Sequence, residues 1–235
     1  VFSAPAAVKR YGADFLPRYS PSLSPALMAR LQELPQLEAL TLRSCLLDAG
    51  FVESLPRRLQ RLDLYDCFGV DGRLVDVIAA MPELRELGVP MQRAPEESNV
   101  RGMFRLLGIE GTDLNERRLA SAEVVRVLRG RPWEALRLDG TLTPEVAAAL
   151  RDQPSLRELR LSLDGAGVAL DFVAALPKLE RVVFEGMFVS NARLAPLAES
   201  RSLRQVVIEV YGPGERVGSE LPERIQVRRV TRQWR

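Results

Sequence analysis

Residues Thr143 to Leu161 read T-P-E-V-A-A-A-L-R-D-Q-P-S-L-R-E-L-R-L, and this stretch decides the fold. Thr143 suits a helix N-cap, and Pro144 suits the first helical position, where the missing N–H would have no intrahelical acceptor. Val146, Ala147 and Leu150 then form an apolar stripe. Pro154 ends the helix, because it has no N–H to donate and pushes Gln153 into extended geometry. Beyond it, Leu159 and Leu161 alternate with Glu158 and Arg160, the two-residue period of a strand. One unit is therefore a helix, a proline turn and a short strand.

The strand part carries the pattern Leu-x-x-Leu-x-Leu, and it recurs in both directions from this stretch. Close copies are Leu37/Leu40/Leu42, Leu59/Leu62/Leu64, Leu84/Leu87/Val89 and Leu156/Leu159/Leu161. Looser copies are Phe104/Leu107/Ile109, Trp133/Leu136/Leu138, Leu179/Val182/Phe184 and Leu203/Val206/Ile208. Successive first positions differ by 22, 25, 20, 29, 23, 23 and 24 residues. A near-constant period in this range marks a solenoid whose units bury their apolar faces against their neighbours. Pro35, Pro82, Pro154 and Pro177 each stand two residues before a first motif position. Helices are predicted before the turns at 25–33, 73–80, 116–129, 168–175 and 193–199. Alternating strands and helices, with strands parallel and one repeat apart, give an α/β fold. It is a right-handed βα superhelix, a horseshoe with a parallel concave sheet.

On these residues the chain resembles the leucine-rich repeat family, over roughly residues 24–211. In that family the motif continues to an Asn or Cys at its ninth position, which satisfies backbone groups in the turn. Cys45 and Cys67 stand there in the first two repeats. Later copies depart from it with Gln92, Thr112, Thr141, Asp164, Met187 and Tyr211. The expected organisation is an N-terminal cap or linker over 1–23, about eight repeats over 24–211, and a capping strand with a basic tail over 212–235. Residues 90–102 break the pattern and read as a loop in place of a helix. The first position of the fourth repeat, Phe104, is the least regular.

Composition limits the chemistry. There is no His, which removes Ser-His-Asp and Cys-His catalysis and histidine metal sites. No phosphate-cradling glycine loop occurs. The two cysteines, at equivalent repeat positions, read as core-facing ladder residues rather than metal ligands; their spacing leaves a disulfide open. No cofactor or metal is expected, and the chain reads as a non-enzyme. Lys+Arg is 33 against 31 Asp+Glu, so a net charge of +2 gives no general pull toward nucleic acid. The near-exclusive use of Arg over Lys reads as the codon bias of a GC-rich bacterial genome. No apolar run is long enough to span a bilayer as a helix. Val1 follows neither an initiator Met nor a signal-peptide pattern, so the chain reads as cytoplasmic and as a fragment, a processed product or one domain of a larger protein.

Strand alternation points motif positions three, five and seven outward. The resulting candidate partner-binding residues on the concave face are Arg43, Arg61, Asp63, Tyr65, Asp66, Glu86, Glu110, Arg137, Asp139, Glu158, Arg160, Arg181, Glu185 and Glu209. Arg43, Arg61, Asp63, Tyr65 and Asp66 form an early polar cluster rich in the residue types that anchor interfaces. Gly88, Pro90 and Gly108 would leave a bare saddle for a partner's backbone. Glu110, Asp139, Glu185 and Glu209 form an acidic row beside Arg137, Arg160 and Arg181, either paired across strands or patterned for a mixed-charge partner.

The family resemblance implies a protein–protein interaction module. One alternative is nucleic-acid or acidic-surface binding through Arg224, Arg228, Arg229, Arg232 and Arg235. A second is a substrate-recognition part of a larger multidomain protein or secreted effector.

Overall fold

The computed structural model describes residues 31, 33–34, 36–43, 45, 47, 49–93, 118–162, 168–185, 189–211 and 220–232. The expected first helix (25–33), the Phe104 repeat, Glu110, Gly108 and the 1–23 segment lie essentially outside them. The architecture is α/β: in each unit parallel strands, joined mostly through helices, follow one another in sequence order. The chain divides into two compact units, Val1–Val127 (with Arg235) and Leu128–Trp234. No helix among the described residues is long and apolar enough to cross a membrane.

The first unit contains β1 (Ala39–Arg43), α1 (Ala49–Ser54), β2 (Arg61–Tyr65), α2 (Gly72–Ala79) and β3 (Glu86–Pro90). Leu40 pairs with Leu62 and Leu62 with Leu87, so equivalent motif positions stand side by side. Leu59, Leu62 and Leu64 are fully buried, as the inward motif positions require. Asp71 caps α2 by accepting from the Arg73 N–H at 2.9 Å, and Leu74, Val75, Val77 and Ile78 fill the space behind the sheet.

Helix α1 was not among the predicted helices. Its six residues are too few for a periodic signal; Phe51 and Val52, both buried, hold it in place. The next helix, α3 (Ser121–Arg129), starts later than the predicted 116. Leu119 is extended instead: it bridges Met91 in parallel, donates to the Pro90 carbonyl at 3.1 Å and accepts from the Gln92 N–H at 3.0 Å. Glu123 then accepts from the Ala120 N–H at 2.8 Å, closing the helix start in the manner of a capping box. Tertiary pairing thus takes residues that helical propensity would have claimed. Within the predicted loop at 90–102, Pro90 ends β3 and Met91 makes the bridge; residues 94–102 lie outside the described residues.

The second unit contains β4 (Ala135–Asp139), α4 (Pro144–Arg151), β5 (Glu158–Ser162), α5 (Asp171–Ala174), β6 (Arg181–Glu185), α6 (Asn191–Leu194), a 3-10 turn (Ala195–Glu199), β7 (Gln205–Tyr211) and β8 (Gln226–Arg232). Here the opening stretch behaves as read: Thr143 accepts from the Val146 N–H, and Pro144 opens α4. The helix predicted over 168–175 shrinks to α5, which has no side-chain cap. The one predicted over 193–199 becomes a turn of α-helix capped by Ser190 and then the 3-10 turn, which Pro196 opens.

Both units share a hydrogen-bond signature at the starts of β2, β3, β5, β6 and β7. One carbonyl accepts two successive N–H groups from the next repeat. Glu38 accepts from Gln60 and Arg61, Gln60 from Arg85 and Glu86, Glu134 from Arg157 and Glu158, Arg157 from Glu180 and Arg181, and Glu180 from Arg204 and Gln205. This shared carbonyl keeps adjacent strands in register before the leucines begin. A buried clip reinforces one such turn. Gln153 accepts from the Trp133 N–H at 3.1 Å and donates to the Leu128 carbonyl at 2.7 Å, with both Gln153 and Trp133 buried.

Candidate interaction surface

On the first unit, strand alternation sets Arg43, Arg61, Tyr65 and Glu86 on the outward face. Arg43 is exposed, and its guanidinium lies 5.7 Å from the centre of the Tyr65 ring, which is half-buried. Arg61 and Glu86, neighbours across β2 and β3, form an ion pair at 3.5 Å with about half of each side chain exposed. Asp66 takes a left-handed backbone, φ 53°, just past β2. That turn aims its carboxylate at Arg118, 2.9 Å away and only 5% exposed. Arg118 also stacks on Phe68, 4.7 Å from the ring centre. Asp66 is thereby fixed from below while 38% of its side chain stays open.

Two expectations for this face are corrected. Asp63 is buried at 7% exposure rather than presented to a partner. Its register partner is Gly88, and a Cβ on Gly88 would collide with the Asp63 carboxylate. The bare saddle therefore does not exist at Gly88: the glycine makes room for Asp63, and Pro90 beside it is buried. Glycine is required here for close approach and not for access from outside.

On the second unit, β4 to β7 carry Arg137, Asp139, Glu158, Arg160, Arg181, Glu185 and Glu209. Arg137 donates to both carboxylate oxygens of Glu185 at 3.0 and 2.9 Å. Arg160 donates to the same carboxylate at 3.1 Å and lies 4.0 Å from Glu209. Arg137, Asp139, Glu185 and Glu209 are all buried. Because neighbouring strands lie about 4.8 Å apart, the Arg137 and Glu185 side chains together span about 10 Å, from β4 across β5 to β6. A guanidinium stretched over the sheet covers apolar surface with its stem. Val183 and Val207, at outward position five, are also buried. Toward the strand starts, Arg181 meets Glu158 at 3.3 Å with more than a third of each side chain exposed. Cross-strand pairing, one of the two readings of the acidic row, is what this unit adopts.

Strand alternation alone did not give the availability of the outward positions, since Asp63, Arg137, Asp139, Glu185 and Glu209 are buried. Arg118, Phe68 and Gln153 were missed as contributors. Arg118 lies 52 residues from Asp66, and no local spacing connects them. Arg224, counted in the basic tail, is committed to structure: it donates to the Ser200 carbonyl at 2.9 Å and to that of Ala198, closing the 3-10 turn. Arg228 is exposed on β8; the Arg232 side chain and Arg235 lie outside the described residues.

Open hollows lie away from this face. One of about 360 Å³ is lined by Arg157, Pro177, Lys178, Glu180, Ser202 and Arg204; another of about 410 Å³ lies beside Leu34 and Pro56. No cluster of metal-ligating side chains occurs among the described residues. No protein-family model matches the chain, and no curated protein matches it.

Proposed function

We propose that the chain is a leucine-rich repeat protein, a non-enzymatic module that binds a protein partner on the outward strand face of its first unit. Arg43, Arg61, Tyr65, Asp66 and Glu86 are the contact residues. The observation that carries the reading is the Tyr65 ring, held by Arg43 at 5.7 Å beside an Asp66 fixed by buried Arg118. An aromatic and charged patch already ordered in the free protein loses little conformational entropy on binding. Tyr and Arg are also the residue types that most often carry interface energy. Arg137, Arg160, Glu185 and Glu209 belong to the scaffold in this reading, since burial leaves them little to offer a partner.

The test is a pull-down with the intact chain, followed by titration of the purified partner against variants. Tyr65→Ala and Arg61→Glu should each weaken binding about tenfold or more, the scale of a central interface residue. Arg181→Glu, on the second unit, should change it less than about twofold. Unchanged binding by both first-unit variants, with their folds intact by circular dichroism, would sink the assignment.

A further inference from the structure

The ladder position that holds Cys45 and Cys67 carries more chemistry than a turn needs. Each thiol donates to the carbonyl two residues before it, Cys45 to Arg43 at 3.2 Å and Cys67 to Tyr65 at 3.6 Å. A hydroxyl would make the same bond more strongly, since S–H is a weak donor. The equivalent position holds Gln92 and Thr141 in later repeats, so the turn tolerates other side chains. What the first two repeats have instead is a pair of thiols, the only cysteines in the chain.

The backbone sets these two side by side. The β1–β2 register ends with Arg43 opposite Tyr65. It is continued by Phe68 donating to the Cys45 carbonyl at 2.9 Å and Leu47 donating to the Phe68 carbonyl at 2.8 Å. Gly69, at φ 82°, allows that approach, because a Cβ there would collide with the Leu47 carbonyl. Neighbouring strands are about 4.8 Å apart, inside the roughly 4.4–6.8 Å window of Cα separations that a disulfide spans. The two thiols lie close enough for each to shift the other's ionisation, and both are unbridged.

We propose that Cys45 and Cys67 are a reversible disulfide-forming site, oxidised by a small peroxide. Burial of both residues, at 3% and 0% exposure, selects an oxidant of the size of hydrogen peroxide over a bulky disulfide. The neighbouring Cys67 thiol, whose S–H can turn from the Tyr65 carbonyl to a Cys45 thiolate, lowers Cys45 to about 7 against the opposing effect of burial, so Cys45 is the nucleophile. Burial first, and then the bond to Cys45, hold Cys67 well above the ordinary thiol range. The Cys45 thiolate attacks one peroxide oxygen; the O–O bond breaks, and the departing hydroxide takes a proton from solvent. Cys67 sulfur then attacks the Cys45 sulfenic acid, the S–O bond breaks, and the leaving hydroxide carries off the Cys67 proton as water. In sum, two thiols and one hydrogen peroxide give one disulfide and two waters. The inference does not depend on what the strand face binds.

The intact chain is treated with hydrogen peroxide, denatured, alkylated and mapped by non-reducing peptide mass spectrometry. Both thiols should disappear together into one intramolecular cross-link that dithiothreitol reverses. Cys67→Ser should leave a Cys45 sulfenic acid that dimedone traps when the protein is denatured in its presence, whereas Cys67 in Cys45→Ser should oxidise at least about tenfold more slowly. Alkylation of Cys45 should rise through pH 7 and level off below pH 9, because the lowered thiol is already thiolate there. Two thiols that survive peroxide sufficient to exhaust free glutathione, or that oxidise only in urea, would overturn the proposal. So would cross-links formed only between chains. Because the wild-type map needs no substitution, a variant that fails to fold leaves the test decisive.

Discussion

On the strand face of the second unit, Arg137 and Glu185 keep 10% and 11% of their side-chain surface exposed; on the face of the first, Arg61 and Glu86 keep 52% and 44%. Both are cross-strand Arg–Glu pairs at outward motif positions. They differ in reach. Arg61 meets a neighbour on the adjacent strand, and both groups stay in water. Arg137 crosses an intervening strand, and its carboxylate partner also receives Arg160. A pair that spans a strand covers what lies beneath it, while a pair between neighbours does not. Reach across a strand is thus one way in which a face charge is covered; Arg160, on the strand next to Glu185, and Asp63, beside Gly88, are covered by the packing around them.

The comparison can be broken most directly at Arg137. Arg137→Ala should lose about 3–5 kcal/mol in urea unfolding, because Glu185 would stay buried with one of its two guanidinium partners gone. Replacing both Arg137 and Glu185 by Met and Leu should recover most of that loss. If Arg137→Ala proves as mild as a surface variant, the second face is open after all. The leucine scaffold gives the reference: Leu62→Ala, fully buried in β2, should cost about 2–5 kcal/mol by the same measurement. Gln153→Ala should cost about 1–3 kcal/mol, because the Trp133 N–H and Leu128 carbonyl would be left buried without their partner. Arg61→Ala should be the mildest, under about 1 kcal/mol, as expected of an exposed ion pair. An Arg61 loss as large as that of Arg137 would erase the distinction between the two faces. Tyr65→Ala should likewise leave stability little changed while weakening partner binding.

Much of the scaffold was legible in the sequence. The Leu-x-x-Leu-x-Leu spacing marks the described strands β1 to β7, because alternation along a strand is a local property. Thr143, Pro144 and Pro154 marked one helix and its end for the same reason. Elements whose length is set by packing were less legible. Helix α1 is too short to show a period, and the start of α3 moved because Leu119 pairs with Met91. The face residues were legible as positions but not as states. Asp63 is outward by alternation and buried because Gly88 opens room beside it. Arg224 reads as part of a basic tail and is consumed by two carbonyls of the 3-10 turn.

The sequence by itself thus determined the repeat, the strand positions, the inward leucines and the equivalence of Cys45 and Cys67, all consequences of a period that the chain carries locally. Only the tertiary structure decided which outward charges remain available, because that depends on the reach of each side chain across neighbouring strands and on the packing around it. It also decided that the two cysteines stand side by side: the register of β1 on β2, fixed by backbone hydrogen bonds between repeats, turns a spacing of 22 residues into adjacency.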